Sequence, residues 1–210
     1  PGGVSSTPVE VLGISAGAAR LKAGVLHTCI VTQDGLAECW GDNFDGQLGR
    51  GVVTLPLEPA TVSGISERVV SIAPGGAHTC AAFEDGEIEC WGRNTNGQLG
   101  DGSVSAKTTP TKATTNADAA SIAAGQVHSC AAFSSEGAKC WGANFVGQLG
   151  DGTQVSKPIP TSVVGISESV RKVSTGLSHS CALLESGRVM CWGNNGNGQL
   201  GDGTKINRLS

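Results

Sequence analysis

The sequence contains no tyrosine and a single methionine, and only 15% of its 210 residues are charged. With 32 glycines, this composition favours short strands joined by turns over helices. The net charge is -4 and the lysines and arginines are scattered, so the basic stripe typical of nucleic-acid binding is missing. No apolar run approaches the roughly 18 residues that span a bilayer. Because the chain begins at Pro1 without a signal-peptide pattern, we expect a processed protein or a fragment.

One segment recurs four times along the chain, and HTCAAFEDGEIECWGRNTNGQLGDG, beginning at His78, is an example. The first histidines of the four copies are separated by 51, 50 and 51 residues. A proline precedes each copy, and cutting there gives repeats 8–58, 59–109, 110–159 and 160–210. Residues 1–7 match the tail of a preceding repeat. A fixed period of this length indicates a repeat architecture.

Each repeat contains short runs such as VVSIA, HTCAAF and EIECW, bounded by glycine, aspartate and asparagine, and a further strand fits around PATVSGI. Four strands in about 51 residues is the size of a propeller blade. We therefore predict an all-β fold of four tandem four-stranded repeats.

The recurring motifs GxxHTC, an Asp-Gly turn, CWGxN and GQLGDG resemble the repeat of the regulator of chromosome condensation family, over essentially the whole chain. The resemblance implies that these repeats form part of a β-propeller-like array, usually of seven blades, of which four are present here. It also implies guanine-nucleotide exchange on a small GTPase. The even repeat spacing leaves no room for a large inserted wedge, so we do not expect exchange activity. The paired cysteines depart from the cytosolic eukaryotic members, which generally lack them.

The eight cysteines form four pairs, each separated by ten residues. In the first repeat a three-residue Gln33-Asp34-Gly35 turn would place Cys29 directly opposite Cys39 in a hairpin, close enough for a disulfide. The third repeat moves its turn glycine to Gly137, so its turn must differ. Free buried thiols, or a metal or redox site, are the alternatives, but each repeat offers three ligands where structural zinc needs four. The predicted disulfides are Cys29–Cys39, Cys80–Cys90, Cys130–Cys140 and Cys181–Cys191.

The histidines and tryptophans each occupy one fixed position in the repeat. A catalytic residue has no reason to be copied into every blade, whereas a buried histidine that ties a strand to a neighbouring loop does. The tryptophan follows the second cysteine, so it points to the opposite face of the strand and can fill the gap between blades. The residues assigned these structural roles are His27, His78, His128, His179, Trp40, Trp91, Trp141 and Trp192.

The GQLGDG glycines are not followed by the Lys-Ser/Thr of a phosphate-binding loop, so we predict turns there. Calcium at Asp101, Asp151 and Asp202 is disfavoured because Arg50 replaces the acid in the first repeat. Between CWG and GQLG the asparagine is constant while its neighbours vary, which makes the neighbours candidates for a binding rim. The alternative is that they only cap the blades. These rim candidates are Phe44, Asp45, Arg93, Thr95, Phe145 and Val146.

No enzyme signature is present, and we expect neither a cofactor nor a metal. Four disulfides favour an oxidising location, namely extracellular, at the cell surface or periplasmic. The sequence thus predicts a non-enzymatic, protein-binding propeller module; the alternative is a structural repeat protein that assembles head to tail through its terminal repeats. The expected partner is a protein or the chain itself, with no nucleic acid and no membrane span. A slice of a longer chain, a ring or filament, and a closed four-blade form all fit the repeat count.

Overall fold

The computed structural model describes residues 5–116 and 118–210. These residues form fifteen β-strands and no helix, so no helix in the described ranges could cross a membrane. The all-β prediction is confirmed. The predicted tail segment 1–7 lies partly outside the described residues. The strands are β1 (Ala18–Ala23), β2 (His27–Thr32), β3 (Ala37–Gly41), β4 (Ala60–Thr61), β5 (Val69–Pro74), β6 (His78–Phe83), β7 (Ile88–Gly92), β8 (Lys107–Lys112), β9 (Ala119–Ala124), β10 (His128–Phe133), β11 (Gly137–Gly142), β12 (Lys157–Ser162), β13 (Val170–Thr175), β14 (His179–Leu184) and β15 (Val189–Gly193).

The strands form four antiparallel sheets, which are the four blades of a β-propeller. Blade 1 contains β1 to β4, blade 2 contains β5 to β8, blade 3 contains β9 to β12, and blade 4 contains β13 to β15. The strand order within each sheet follows the chain. The innermost strands β1, β5, β9 and β13 line one common groove. Consecutive blades pack face to face, which gives the described chain three hydrophobic cores, one between each neighbouring pair.

The blades are offset from the repeats defined by proline positions. In each of the first three blades the outermost strand lies at or across the start of the next repeat; for example, β4 at Ala60–Thr61 pairs with β3 of the first repeat. Pro110 and Pro160 lie inside β8 and β12, which an outermost strand tolerates because one of its edges is unpaired. The sheets of blades 1 to 3 therefore each span two repeats.

Blade 4 differs from the expected four strands because the described chain forms only three there. At the place of the fourth strand, Gly193 and Arg208 exchange two backbone hydrogen bonds of 2.8 and 3.1 Å. Blade 2 makes the same contact between Gly92 and Lys107 and a second one between Cys90 and Thr111. The position equivalent to Thr111 would fall beyond Ser210, so the ladder has one bridge.

The register of the first hairpin is the one predicted from the sequence. Cys29 lies opposite Cys39, and Thr32 and Leu36 close the turn with a backbone hydrogen bond of 2.9 Å. Gly35 has φ of 89°, which glycine adopts without strain. In the third repeat the positive-φ glycine is shifted by one residue to Gly137, which pairs with Phe133 as the first residue of β11. The register at the cysteines is unchanged despite this different turn.

Candidate functional site

Each repeat contains one disulfide, and all eight cysteines are bridged. The paired Cα atoms are 4.1 to 4.2 Å apart, the short distance of residues directly opposed in a non-hydrogen-bonded pair. The first three disulfides are fully buried against the next blade. Cys181 and Cys191 of blade 4 are only partly buried. The cysteines are therefore covalent cross-links and are not available as metal ligands.

The histidines connect one blade to the next. His78 Nε2 of blade 2 lies 2.9 Å from Ser129 Oγ of blade 3, and this hydroxyl donates to the backbone oxygen of Gln98 at 2.9 Å. Because the hydroxyl has one hydrogen and gives it to the carbonyl, the imidazole must donate from Nε2. The contact recurs between His27 and Thr79 at 2.8 Å and between His128 and Ser180 at 2.9 Å.

Burial keeps these histidines neutral. Desolvation lowers the pKa of His27 and of His128 from 6.5 to about 4 and that of His78 to about 3. The charges of His27 and His128 further lower the pKa of His78. At pH 7 the rings thus act as neutral hydrogen-bond donors between blades. His179 of blade 4 is partly exposed and contacts no further blade within the described part of the chain.

A glycine three residues before each histidine makes room for the ring. A Cβ at Gly75 would lie 2.6 Å from His78 Cε1 and 2.5 Å from the backbone oxygen of Gly125 in the next blade. Real Cβ atoms do not approach so closely. The sequence shows this glycine at every repeat, but only the blade contact explains why it is required.

The tryptophans fill the gaps between blades, on the face opposite the cysteines. Trp91 and Trp141 are fully buried, and Trp192 is 1% exposed. Trp91 Nε1 donates to the backbone oxygen of Gln47 in blade 1 at 2.9 Å, and a Cβ at Gly49 would lie 2.8 Å from the same nitrogen. The GQLG glycines thus form turns and a surface for the next tryptophan, not a phosphate site. Trp40 of blade 1 is only half-buried and lines a cavity with Val9 to Leu12 and Leu57.

The constant asparagine holds the loop that follows GQLGDG. Asn94 Oδ1 accepts from Leu99 N at 3.0 Å, while its Nδ2 donates to the carbonyls of Ser103 and Ser105 at 3.1 Å. Asp101 Oδ1 accepts from Asn94 Nδ2 at 3.2 Å and from Ser103 N at 2.9 Å, and Oδ2 accepts from Ser103 Oγ at 2.9 Å, so both oxygens that calcium would need are hydrogen-bonded. In blade 1, where Arg50 replaces the acid, Asn43 still donates to two loop carbonyls at 2.8 Å.

The six rim candidates do not share one environment. Phe44 and Phe145 are 79% and 63% exposed, so neither caps the core of its blade. Thr95 is exposed as well. Asp45 and Arg93 form a salt bridge of 3.2 Å between blades 1 and 2. The remaining candidate, Val146, is partly buried, and its backbone nitrogen donates to Gln148 Oε1 at 3.0 Å.

Further exposed apolar residues lie in the loops that the asparagines hold. Gln154 Nε2 donates to the Phe145 carbonyl at 3.1 Å, which places the phenylalanine beside the loop that contains Val155. The sequence analysis missed these residues; the signal was an apolar side chain in a loop otherwise rich in glycine, serine and threonine. We define the apolar rim as the two phenylalanines and these loop residues, which are each 48% to 62% exposed. Its members are Phe44, Val52, Val53, Val104, Phe145, Val155 and Ile206.

The fold is similar to that of solved structures of longer chains, of which this chain covers only a part. The structure of human WBSCR16 superimposes with a TM-score of 0.86 at 23% identity, over 96% of this chain and 54% of that one. The structure of Prp20p from Saccharomyces cerevisiae superimposes with a TM-score of 0.84 at 25% identity, over 97% and 52%. This chain therefore spans about half the length of these structures.

Proteins of similar sequence are likewise longer than this chain. The ultraviolet-B receptor UVR8 of Arabidopsis thaliana is 31% identical over 195 residues, which are 91% of this chain and 44% of the receptor. The mitochondrial RCC1 domain-containing protein RUG3 of the same plant is 34% identical over 56% of this chain and 26% of its own length.

Two family models of the regulator of chromosome condensation (RCC1) repeat match the chain. One covers residues 34–82, 85–132 and 140–183, and the other covers 19–47, 69–98 and 170–199. The matched segments include the histidine, the cysteine pair and the tryptophan of the repeat, whose contacts build the interfaces between blades. The chain thus belongs to the regulator of chromosome condensation (RCC1) repeat family.

Proposed function

We propose that this chain is a non-enzymatic, protein-binding propeller module that works outside the cytosol, and that it binds its partner through the apolar rim. One observation carries this proposal. Three of the four histidines hydrogen-bond to hydroxyls inside the fold, and all eight cysteines are bridged. What the repeat leaves free is a set of apolar side chains on loops held in place by buried asparagines. Exposed apolar side chains on a rigid scaffold are typical of protein interfaces.

Two further facts support this function. Four disulfides indicate an oxidising environment, because cytosolic thiols are kept reduced. We propose that this environment is extracellular, at the cell surface or periplasmic. Solved structures of the yeast family member Prp20 describe it bound by Kap60 and with binding properties towards Gsp1p and histones. Protein recognition is thus a function that this fold performs, although the partners of that protein are not assigned to this chain.

Site-specific photo-cross-linking tests the apolar rim. A photoreactive phenylalanine analogue at Phe145 should form one discrete adduct in the secreted or periplasmic fraction of the natural source. The same analogue at Leu36, an exposed residue in the β2–β3 turn of blade 1, is the control. Phe44→Ser should weaken the adduct from position 145 without changing the melting temperature. Equal cross-linking from both positions, or no effect of Phe44→Ser, contradicts the apolar rim.

A second candidate, a structural protein that assembles head to tail, is favoured by complementary faces on blades 1 and 4. Pro158 packs on Gly97 of the preceding blade, and its carbonyl accepts from Gly102 N at 2.9 Å. Leu57 holds the equivalent position in blade 1 and is 97% exposed. Gly198 is the equivalent glycine of blade 4, and no side chain covers it. Another blade of this repeat, from a longer chain or a second copy, would fit between them.

Light scattering distinguishes the two candidates. If copies assemble, the apparent mass should rise with concentration, and hydrogen exchange should slow in β14, β15 and the Leu57 segment. Leu57→Asp should abolish the rise, whereas Leu36→Asp, a change at an exposed residue in the turn of the first hairpin, should not. A constant monomer mass up to millimolar concentration rules out assembly between copies and leaves the binding module.

A further inference from the structure

The innermost strands enclose a groove whose charge is opposite to that of the whole protein. The groove has a volume of about 370 Å³ and is lined by β1, β5, β9 and β13. Its charged residues are Arg20, Lys22 and Lys172, and no carboxylate lines it. The protein as a whole carries a net charge of -4. The concave face of an acidic protein is therefore cationic.

These three cations are free to bind a ligand. None forms a salt bridge within the described ranges, whereas seven other lysines and arginines do. All three side chains are exposed. Like charges that converge on a groove repel one another, and an anion relieves the repulsion. The groove thus lacks an internal counter-ion.

Strand register arranges the donors of the groove in layers. Arg20 and Lys172 hold equivalent positions on β1 and β13, and Ser71 and Ser121 hold the same position on the two strands between them. Each blade thus supplies one donor to this layer. The Ser121 hydroxyl accepts from Val173 N at 3.2 Å, which leaves its hydrogen free to donate. Lys22 follows Arg20 by two residues on the same face, about 6.8 Å further along the groove.

We propose that this groove binds an acidic, extended peptide segment in which carboxylates alternate with small residues. In an extended chain every second side chain lies on the same face, about 6.8 Å apart, which is the spacing of Arg20 and Lys22. The floor of the groove is formed by Ala73, Ala123 and the two serines. Because these side chains are small, the backbone of a bound peptide can approach the floor. This inference rests on the proposed protein-binding function and names the chemistry of a segment that the partner would insert.

Fluorescence anisotropy with a labelled peptide of alternating glutamate and serine tests the groove. Lys172→Gln and Arg20→Gln should each weaken binding about 3- to 10-fold, the net contribution of one typical hydrogen bond at an exposed position. Lys205→Gln and Arg50→Gln remove the same charges from residues outside the groove that also form no salt bridge within the described chain, and they should change binding less than about 2-fold. Arg20, Lys172 and Lys205 are exposed, Arg50 is only partly buried, and none of the four forms a salt bridge within the described chain, so melting temperatures should be unchanged.

Three results would overturn the inference. The first is equal binding of a glutamine-serine peptide, or of a peptide with the same glutamates in one block. The second is equal weakening by groove and control variants, which indicates unspecific attraction. In the third, citrate displaces the peptide and itself binds as tightly with the same dependence on Lys172, which makes the groove a small-anion site. If the peptide does not bind while cross-linking from Phe145 persists, the groove proposal is wrong and the proposed binding through the apolar rim is retained.

Discussion

Blades 2 and 4 carry the same repeat, yet the same residues have different environments in them. His78 is fully buried on a serine of blade 3, while His179 is partly exposed. The disulfide of blade 2 is completely covered, and that of blade 4 is only partly covered. The sequence within each repeat does not cause this difference, because the missing element is the next blade. The repeat motif therefore encodes an interface between blades, and each motif residue acts only together with its partner in the neighbouring repeat.

Acidification should have the largest effect, because it acts on all three complete interfaces at once. The pKa values of His27, His78 and His128 lie below the 6.5 of an unfolded histidine, so between about pH 6.5 and 4 the unfolded chain binds more protons. Stability should fall with pH by about 1.4 kcal/mol per pH unit for each histidine. Urea unfolding at pH 7, 6 and 5 measures the slope, and His128→Gln should remove about a third of it. A flat profile above pH 5 contradicts the buried neutral rings.

Truncation of a tryptophan should cost more stability at an inner blade than at the first blade. Trp141→Ala leaves a large cavity between blades 2 and 3 and should cost about 3 to 5 kcal/mol. Trp40→Ala should cost about 1 kcal/mol, because this side chain is half-exposed and has less contact to lose. Thermal unfolding of the two variants gives the comparison. Equal losses would show that blade 1 is packed as tightly as the inner blades.

A methyl group at the glycine before the histidine gives a smaller contrast. At Gly125 it would meet both His128 and the backbone oxygen of Gly176, whereas at Gly176 its three nearest atoms all belong to the His179 ring. The backbone cannot yield easily but a free ring can, so Gly125→Ala should cost about 3 kcal/mol and Gly176→Ala about 1 kcal/mol. Chemical denaturation of both variants measures this, and a larger loss at Gly176 would contradict the role of the next blade.

Loss of one hydroxyl should give the smallest effect. Ser129→Ala leaves the buried His78 Nε2 and the Gln98 carbonyl without their partner and should cost about 1 to 3 kcal/mol. Thr28 occupies the same position in blade 1, and no described histidine contacts it. Thr28→Ser keeps the hydroxyl at this position, whereas Thr28→Ala removes it and should cost less than about 0.5 kcal/mol. Hydrogen exchange at the blade 2–3 interface provides an independent measurement.

Local features could be predicted from the sequence because their partners lie within one hairpin. The ten-residue cysteine spacing and the Asp-Gly turn set the register of Cys29 and Cys39, and the structure has that register. The shifted Gly137 changed its turn but not the pairing of Cys130 with Cys140.

Contacts between repeats could not be predicted in the same way. The partner of His78 lies 51 residues away in another blade, and only the packing of whole sheets brings the two together. The boundaries of the blades could not be predicted from the repeat boundaries either, because β4 pairs with a strand from the preceding repeat. Arg20 and Lys172 were missed because serines replace them in the middle repeats, so no periodic pattern marks the groove.

Because each disulfide joins cysteines ten residues apart within one hairpin, no covalent cross-link connects one blade to another. Under a pulling force the blades can therefore separate in sequence while every hairpin stays closed. The bridges would shorten the fully stretched chain by about 30 Å for each repeat, the contour length that they enclose. A reducing agent would release this hidden length without changing the force at which neighbouring blades part. In this protein the disulfides thus limit how far the chain extends, and the histidines and tryptophans determine when it begins to do so.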